Sequence, residues 1–333
     1  MTDSAITKKP KVLITGASSA IARLVAGALS PKYDLVGVDP RPAPRDTHFP
    51  GEFVVADYHS RKLDEVFLRH EFDSVMHLGR IRESQRFSSQ YRFQMNVIGT
   101  QKLLDLCKLH QVKNLIVLST YHVYGAHRLN ALQLTEESPL RASQSFPELV
   151  DAVEFDHAAT TFMWRNREVR TTVLRPTNVI GKHIRNTICS LLRSGVCPKI
   201  FGFDPLMQFI DEKDLARALI LSLEQNVAGV FNVAGEGVIA YSHAIRHADA
   251  VTVPLPPFIS AGLVRVVAEL SKMNLPPYLM EFFKYPTIIN DDAFRAKFGY
   301  QPKVKTVQSL RNLGQITDRR HLIAQAGSLD ESV

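Results

Sequence analysis

The chain has 333 residues, 45% apolar and 22% charged, with 40 basic against 33 acidic side chains and a formal charge of +7. That length suits one large α/β unit with a smaller appended part, and the ordinary composition excludes extensive disorder. The basic residues are scattered, without a run or a nucleic-acid-reading motif, so the charge predicts no nucleic-acid binding but a solvated surface that tolerates anionic ligands.

Three cysteines, Cys107, Cys189 and Cys197, none in a C-x-x-C pair, read as reduced thiols of a cytoplasmic protein. The first residues, MTDSAITKKP, lack the apolar core of a signal peptide. No apolar stretch reaches the roughly 18 residues of a membrane-spanning helix. Residues 1–10 and 318–333 read as loose ends.

Lys11 to Thr15 is a short apolar run ending at Gly16, as in a buried strand, and Ile21, Leu24, Val25, Ala28 and Leu29 then recur at helical spacing. Strands follow at Asp34 to Val38, Phe53 to Ala56 and Asp73 to His77, with an amphipathic helix from Arg61 to His70. A long helix is expected over Ser88 to His110, a strand over Asn114 to Leu118, a second long helix over Pro147 to Asn166, and a strand over Thr171 to Leu174. This alternation specifies a Rossmann-type α/β fold, a doubly wound parallel sheet. Its strands are continuous apolar runs because parallel strands are buried on both faces.

After Pro176 the pattern loosens. Asp214 is placed to cap a helix carrying Leu215, Leu219 and Leu223, and Phe258 to Met273 reads as an apolar helix that packs on the core or as a lid, or else lies on a membrane surface. The expected organisation is a dinucleotide-binding core over 11–180 and a smaller, mixed substrate cap over 181–317, some of whose segments return to the core.

The first strand runs into TGASSAIA, Thr15 to Ala22. Gly16 supplies the tight turn, and small residues let a pyrophosphate reach the N–H groups at the positive end of the following helix. A non-glycine residue, Ser19 or Ala20, stands in the middle of the motif, where its Cβ crowds the phosphates. Asp39 ends the second strand, the place for a carboxylate that accepts from the adenosine ribose and repels a 2′-phosphate. NAD is therefore expected over NADP, although Arg41 and Arg45 leave room for the latter. Asp57 follows the third strand, within reach of an adenine amino group. Ordinary strand-end turn chemistry is the blander account of both aspartates.

These residues resemble the extended short-chain dehydrogenase/reductases, the NAD-dependent epimerase/dehydratase family that includes UDP-galactose 4-epimerase. The resemblance rests on TGASSAIA, VDPRP (Val38 to Pro42), Asp57, HLG (His77 to Gly79), NVIGT (Asn96 to Thr100) and STYHVYG (Ser119 to Gly125). It continues through LRPTNVIG (Leu174 to Gly181), QFIDEKDLARAL (Gln208 to Leu219) and FNVAGEG (Phe231 to Gly237). It implies a Rossmann domain with a C-terminal substrate cap. It also implies cofactor contacts from Gly16, Ser18, Ser19, Ala20, Ile21, Asp39, Arg41, Asp57, Tyr58, Leu78, Gly79, Asn96, Ser119, Pro176 and Asn178. Thr120 takes the place of the family's catalytic Ser/Thr, Tyr124 that of an aromatic beside the nicotinamide, and Asn178 that of a residue where substrate and cofactor meet. A strand-end hydroxyl serving the local backbone is the other reading of Thr120.

The family's chemistry needs a Y-x-x-x-K pair on the next helix, where the lysine lowers the tyrosine pKa for proton exchange with a substrate hydroxyl. Here that helix reads ELVDAVEFDHAATTFMW, with Glu148 and Ala152 at the two positions. The only tyrosine with a lysine four residues on is Tyr58, with Lys62, at the adenine end. Three readings stay open. The protein is a redox enzyme with a substitute relay drawn from Glu148, Tyr121, His122 and Tyr124; or it binds NAD(H) and a ligand without chemistry, as a sensor or partner subunit; or its substrate needs only the hydride.

Arg80 and Arg82, with Lys182, His183 and Arg185, either meet an anionic substrate such as a nucleotide diphosphate or are solvated loop charges. His243 and His247 share zinc spacing but lack a third ligand, so no metal is expected. A homodimer is expected through the helices near 88–110 and 147–166, with Val150, Val153, Ala158 and Phe162 either at that contact or on the sheet.

Overall fold

The computed structural model describes residues 9–44, 48–82, 87–256 and 276–315. The expected helix at 258–273 lies outside the described residues, as do Arg45 and most of the two expected loose ends. Among the described residues no helix is long and apolar enough to cross a membrane.

The six expected strands form β1 (Lys11–Thr15), β2 (Asp34–Asp39), β3 (Glu52–Val55), β4 (Ser74–His77), β5 (Asn114–Leu118) and β6 (Arg170–Pro176). Three two-stranded ladders follow, built from β7 (Asn178–Ile180) with β10 (Phe209–Asp211), β8 (Val196–Ile200) with β13 (Val251–Leu255), and β9 (Leu206–Met207) with β12 (Ile239–Ala240). The remaining strand, β11 (Gly229–Val233), joins the main sheet beside β6, giving the all-parallel order β11-β6-β5-β4-β1-β2-β3.

Strand residues alternate between the two faces because the pleat has a period of two. Val12, Ile14, Met76, Ile116 and Leu174 enter one core with α1 (Ala20–Leu29) and later α8 (Glu212–Gln225). Leu13, Val75, Leu115, Val117 and Val173 enter the other with α2 (Arg61–Arg69), α4 (Gly99–Leu109) and α6 (Val150–Arg165). Both faces are covered, as a parallel sheet requires.

Three expected elements differ in detail. The helix near 88–110 is interrupted: α3 (Ser89–Phe93) and α4 flank a π-turn at Gln94–Ile98. The turn carries Asn96, whose side chain accepts from the Ile81 N–H (2.8 Å) and donates to the Ile81 carbonyl (2.7 Å) and to Asp151 (2.5 Å). It satisfies a loop backbone as a neighbouring strand would, which anchors the wide turn. The second long helix opens with a 3-10 turn at Pro147–Leu149, since proline suits only a helix start. The helix expected to be capped by Asp214 starts earlier, with Asp211 accepting from Lys213 N–H. Asp214 lies inside its first turn and accepts from the N–H groups of Lys303 and Val304 and from Arg217.

Of the apolar positions considered for a dimer contact, Val153 and Phe162 belong to the two cores, while Val150 and Ala158 are only partly buried. The large apolar residues that these helices leave outward are Phe93, Ile98, Leu109 and Trp164.

One buried ion pair ties the middle of the sheet to α6. Asp156 accepts from Arg175 Nε (2.9 Å) and Nη2 (2.6 Å) and from the Ser119 hydroxyl (2.5 Å). Arg175 also donates to the Tyr124 hydroxyl (3.0 Å) and the Glu136 carbonyl (3.0 Å). Removing one member leaves the other charged and unpaired in the core. Asp156→Ala is therefore expected to cost about 3–5 kcal/mol of stability, read as a lowered urea midpoint. A loss below about 1 kcal/mol, the worth of an exposed pair, would show the network to be dispensable.

Candidate active site

The first strand ends in a turn where Gly16 has φ +69°. A Cβ there would lie 2.6 Å from the Gly79 Cα, so this turn and the segment after β4 touch through two glycines. Since β1 has β2 on one side and β4 on the other, chain order reverses at this point, the switch point where open α/β sheets bind ligands. Ser19 caps α1, its hydroxyl accepting from Ala22 N–H at 3.2 Å. The N–H groups of Ala20 and Ile21, in the first turn, keep no intrahelical acceptor and point out of the positive end of the helix. They fit a pyrophosphate. The Ser19 Cβ is accommodated without strain, because its φ of −74° is open to any residue.

Asp39, fully buried at the end of β2, is closely held. One carboxylate oxygen accepts from Arg41 N–H (2.9 Å) and Arg41 Nε (3.0 Å), the other from Ser18 N–H (3.1 Å) and Arg41 Nη2 (3.2 Å). Asp57, partly exposed after β3, accepts from the Tyr91 hydroxyl at 3.0 Å.

Tyr58 turns inward to form the floor. Its hydroxyl accepts from Gly16 N–H at 2.9 Å and lies 2.0 Å from where a Gly79 Cβ would stand. Beside it, edge to face, lies His77, with Nδ1 2.6 Å from Thr15 Oγ1 and Nε2 2.9 Å from Thr100 Oγ1. Gly79 N–H donates to Thr15 Oγ1 at 3.3 Å. Leu78, the residue after β4, is buried.

At the end of β5, Ser119 is committed to Asp156. Thr120 caps the 3-10 turn Tyr121–Tyr124, accepting from His122 N–H at 3.3 Å, and its hydroxyl lies 3.1 Å from His122 Nδ1. The imidazole packs against Tyr121 (centroids 4.4 Å), Phe282 (4.9 Å) and Tyr278 (5.7 Å). Tyr121 is hydrogen-bonded to Asn178, and burial pushes its pKa upward. Burial likewise raises that of Tyr124, whose hydroxyl donates to Asn232 at 2.7 Å and accepts from Arg175. Pro176 and Asn178 bracket the end of β6, and Asn178 donates to the Gln208 carbonyl at 3.1 Å. Glu148 sits half-buried in the 3-10 turn before α6, and Ala152 is fully buried one turn later.

The two basic loops meet: Arg82 Nη2 donates to the Arg185 carbonyl at 2.7 Å, while Lys182 is exposed and Arg80 half-buried beside them. The buried Glu212 accepts from His183 N–H and lies 2.9 Å from His183 Nδ1. Sequence reasoning did not find the full engagement of Asp39 by Arg41 and Ser18, nor the Asp156–Arg175 pair. For the second a signal existed: Glu148, Ala152 and Asp156 fall one helical turn apart on one face.

Burial pushes the His77 pKa down to about 3, against about 6.5 for a free imidazole. The unfolded chain therefore takes up a proton that the folded chain refuses between those values. Stability is full above about pH 6.5 and falls as the pH drops toward 3, by up to about 1.4 kcal/mol per unit from this group. In His77→Gln the difference in urea stability between pH 7 and pH 5 should shrink by an amount of that order, and equal differences would remove His77 as the cause.

The comparisons extend this geometry. Residues 12–234 match the model of the NAD dependent epimerase/dehydratase family. An uncharacterized protein of Mycobacterium tuberculosis is 29% identical over 264 residues, 78% of this chain and 69% of its own length. The UDP-glucose 4-epimerase of Dictyostelium discoideum is 28% identical over 201 residues, 58% of this chain and 54% of that protein. In fold, the chain is similar to the dTDP-glucose 4,6-dehydratase of Bacillus anthracis, solved in complex with NAD, with a TM-score of 0.73 at 16% identity over 94% of this chain and 98% of the other. A family match spanning most of the chain, on a sheet whose switch point carries the glycine turn, is decisive: the chain belongs to the NAD-dependent epimerase/dehydratase family.

Proposed function

We propose that the protein binds NAD(H) at the switch point and transfers hydride at a hydroxyl-bearing carbon of a nucleotide sugar or similar substrate, with Thr120 and His122 replacing the tyrosine–lysine pair. The observation that carries this reading is the 3.1 Å contact between Thr120 Oγ1 and His122 Nδ1 at the end of β5.

A threonine oxygen has one proton and two lone pairs. One lone pair takes the His122 N–H, and in the tautomer with the ring proton on Nε2 the threonine proton points to His122 Nδ1. The second lone pair is left for a substrate hydroxyl. As that hydroxyl's carbon is oxidised, its proton passes to Thr120 while the threonine proton moves onto the imidazole. The nicotinamide supplies, when bound, the hydride acceptor that no side chain here provides. Ala20 and Ile21 hold the pyrophosphate through their N–H groups, and Ser119 is held by Asp156 out of the proton path. Tyr121, Tyr278 and Phe282 wall the imidazole against water. Arg80, Arg82 and Lys182 supply positive charge for a diphosphate, and Asn178 is hydrogen-bonded to Tyr121 on the turn after β5.

The second reading is an NAD(H)-binding sensor or partner subunit without turnover. It is favoured by the absence of a tyrosine or lysine at positions 148 and 152.

Nicotinamide fluorescence of NADH tests binding, and incubation with NAD and a panel of nucleotide sugars tests turnover. The enzyme reading expects His122→Asn and Thr120→Val to lower kcat by about a hundredfold or more, with NADH affinity held within about threefold. Full turnover in both variants would eliminate the relay. Binding without turnover across the panel would favour the sensor.

A further inference from the structure

We infer that the chain docks peripherally on an anionic lipid bilayer through the end of the sheet opposite the crevice, where Leu68, Leu109 and Trp164 stand outward in one row among basic side chains. Helices α2, α4 and α6 cover the same face of the sheet, α4 packing on both of the others, and they end at Arg69, Leu109 and Arg165. Each leads into a strand, β4, β5 or β6, and these three strands are neighbours in the sheet. The connections are tied together where they enter it: Lys113 N–H donates to the Asp73 carbonyl (3.1 Å), and Arg170 N–H to the Lys113 carbonyl (3.0 Å). The Phe67 and His110 rings, 5.3 Å apart, join the ends of α2 and α4. Packed helices lie about 8–10 Å apart, so the row is short enough to meet one flat surface.

Leu68 is 76% exposed, Leu109 73% and Trp164 64%, so each side chain stands in water and touches little of the protein. One exposed leucine is ordinary on a protein surface, whereas three large apolar side chains in a row point to an interaction surface. The charges around them select the partner. Segments 68–73, 108–113 and 164–170 hold six basic residues, Arg69, Lys108, Lys113, Arg165, Arg167 and Arg170, all exposed, against the acidic Glu71, Asp73 and Glu168. Arg69, Lys108 and Arg165 sit in last helical turns, where they offset the negative end of the helix dipole, and the other three lie beyond it. Asp73 is already paired with Lys113 at 3.4 Å. An anionic headgroup layer meets the remaining positive charge, while the two leucines and the indole enter the boundary between headgroups and acyl chains, where tryptophan concentrates. Arginine and lysine suit that depth because their stems lie along apolar material and their charges stay in water. In this orientation the glycine turn after β1 and the Thr120 turn after β5, at the other end of the strands, face away from the lipid.

Trp164 is the only tryptophan of the chain, so intrinsic fluorescence reports on this surface alone. The test titrates the purified chain with vesicles of phosphatidylcholine and with vesicles of equal parts phosphatidylcholine and phosphatidylglycerol, and measures the bound fraction by sedimentation. The expected result is a blue shift of the Trp164 emission and co-sedimentation with the anionic vesicles, both weakening as salt rises. Arg165→Gln with Arg167→Gln should weaken binding by about fivefold for each charge removed. Leu68→Ser with Leu109→Ser, which keeps the reporter, should weaken it by about tenfold or more. All four residues are exposed, so the urea midpoint should hold in both variants. No shift with anionic vesicles at low salt, or binding undiminished in both variants, would overturn the proposal. Equal binding to the neutral vesicles would do the same, and so would a blue shift that appears on concentrating the chain without lipid, which assigns the row to a second copy.

Discussion

The packing of one tyrosine ring among glycines sets the width of the crevice. Tyr58 reaches from beyond β3 to the end of β1, where its hydroxyl takes the Gly16 N–H. Any Cβ at residue 79 would collide with that hydroxyl, and one at residue 99 would stand 2.8 Å from the Tyr58 Cβ. The first turn, the segment after β4 and the start of α4 therefore close on the same ring. A smaller residue at 58 would strand the Gly16 N–H, and a larger one at 79 would push the two strand ends apart. Interiors pack too densely for either change to be absorbed locally.

The same economy decides which groups remain for chemistry. Buried polar atoms need partners, and most hydroxyls around the crevice have found theirs within the protein. Ser119 is bound to Asp156, Tyr121 to Asn178, and Tyr124 to Asn232 and Arg175. Burial raises the pKa of both tyrosines, away from the range in which a phenol exchanges protons at neutral pH. Thr120 differs because its partners, the backbone N–H and the imidazole of His122, belong to one residue of the same turn.

The sheet was legible because buried parallel strands are written as unbroken apolar runs, and six such runs lie where strands form. The seventh strand was not read, because Asn232 interrupts its apolar run with a side chain that serves Tyr124 and the Leu134 carbonyl across the fold. The two-residue strands of the cap carry no period at all. The π-turn is likewise a tertiary feature: nothing in helical spacing says that Asn96 will reach the Ile81 backbone. At the site, position was easier to read than availability. Asp39 stands at the strand end where a ribose ligand is expected, yet whether its lone pairs are open depends on Arg41 and on Ser18, the latter 21 residues away in the chain.

The missing lysine is more than a deletion. Ala152 is fully buried, one turn before Asp156 on the face of α6 that looks toward β5. A lysine there would carry its charge from a closed position into a region whose nearby carboxylate is already filled by Arg175 and Ser119. An ammonium held without a partner loses several kcal/mol of hydration or gives up its proton, and a neutral lysine no longer acidifies a phenol. Restoring tyrosine at 148 and lysine at 152 would thus return the letters of the motif without its electrostatics. The proposed relay group, His122, stands outside this closed network, on the turn after β5.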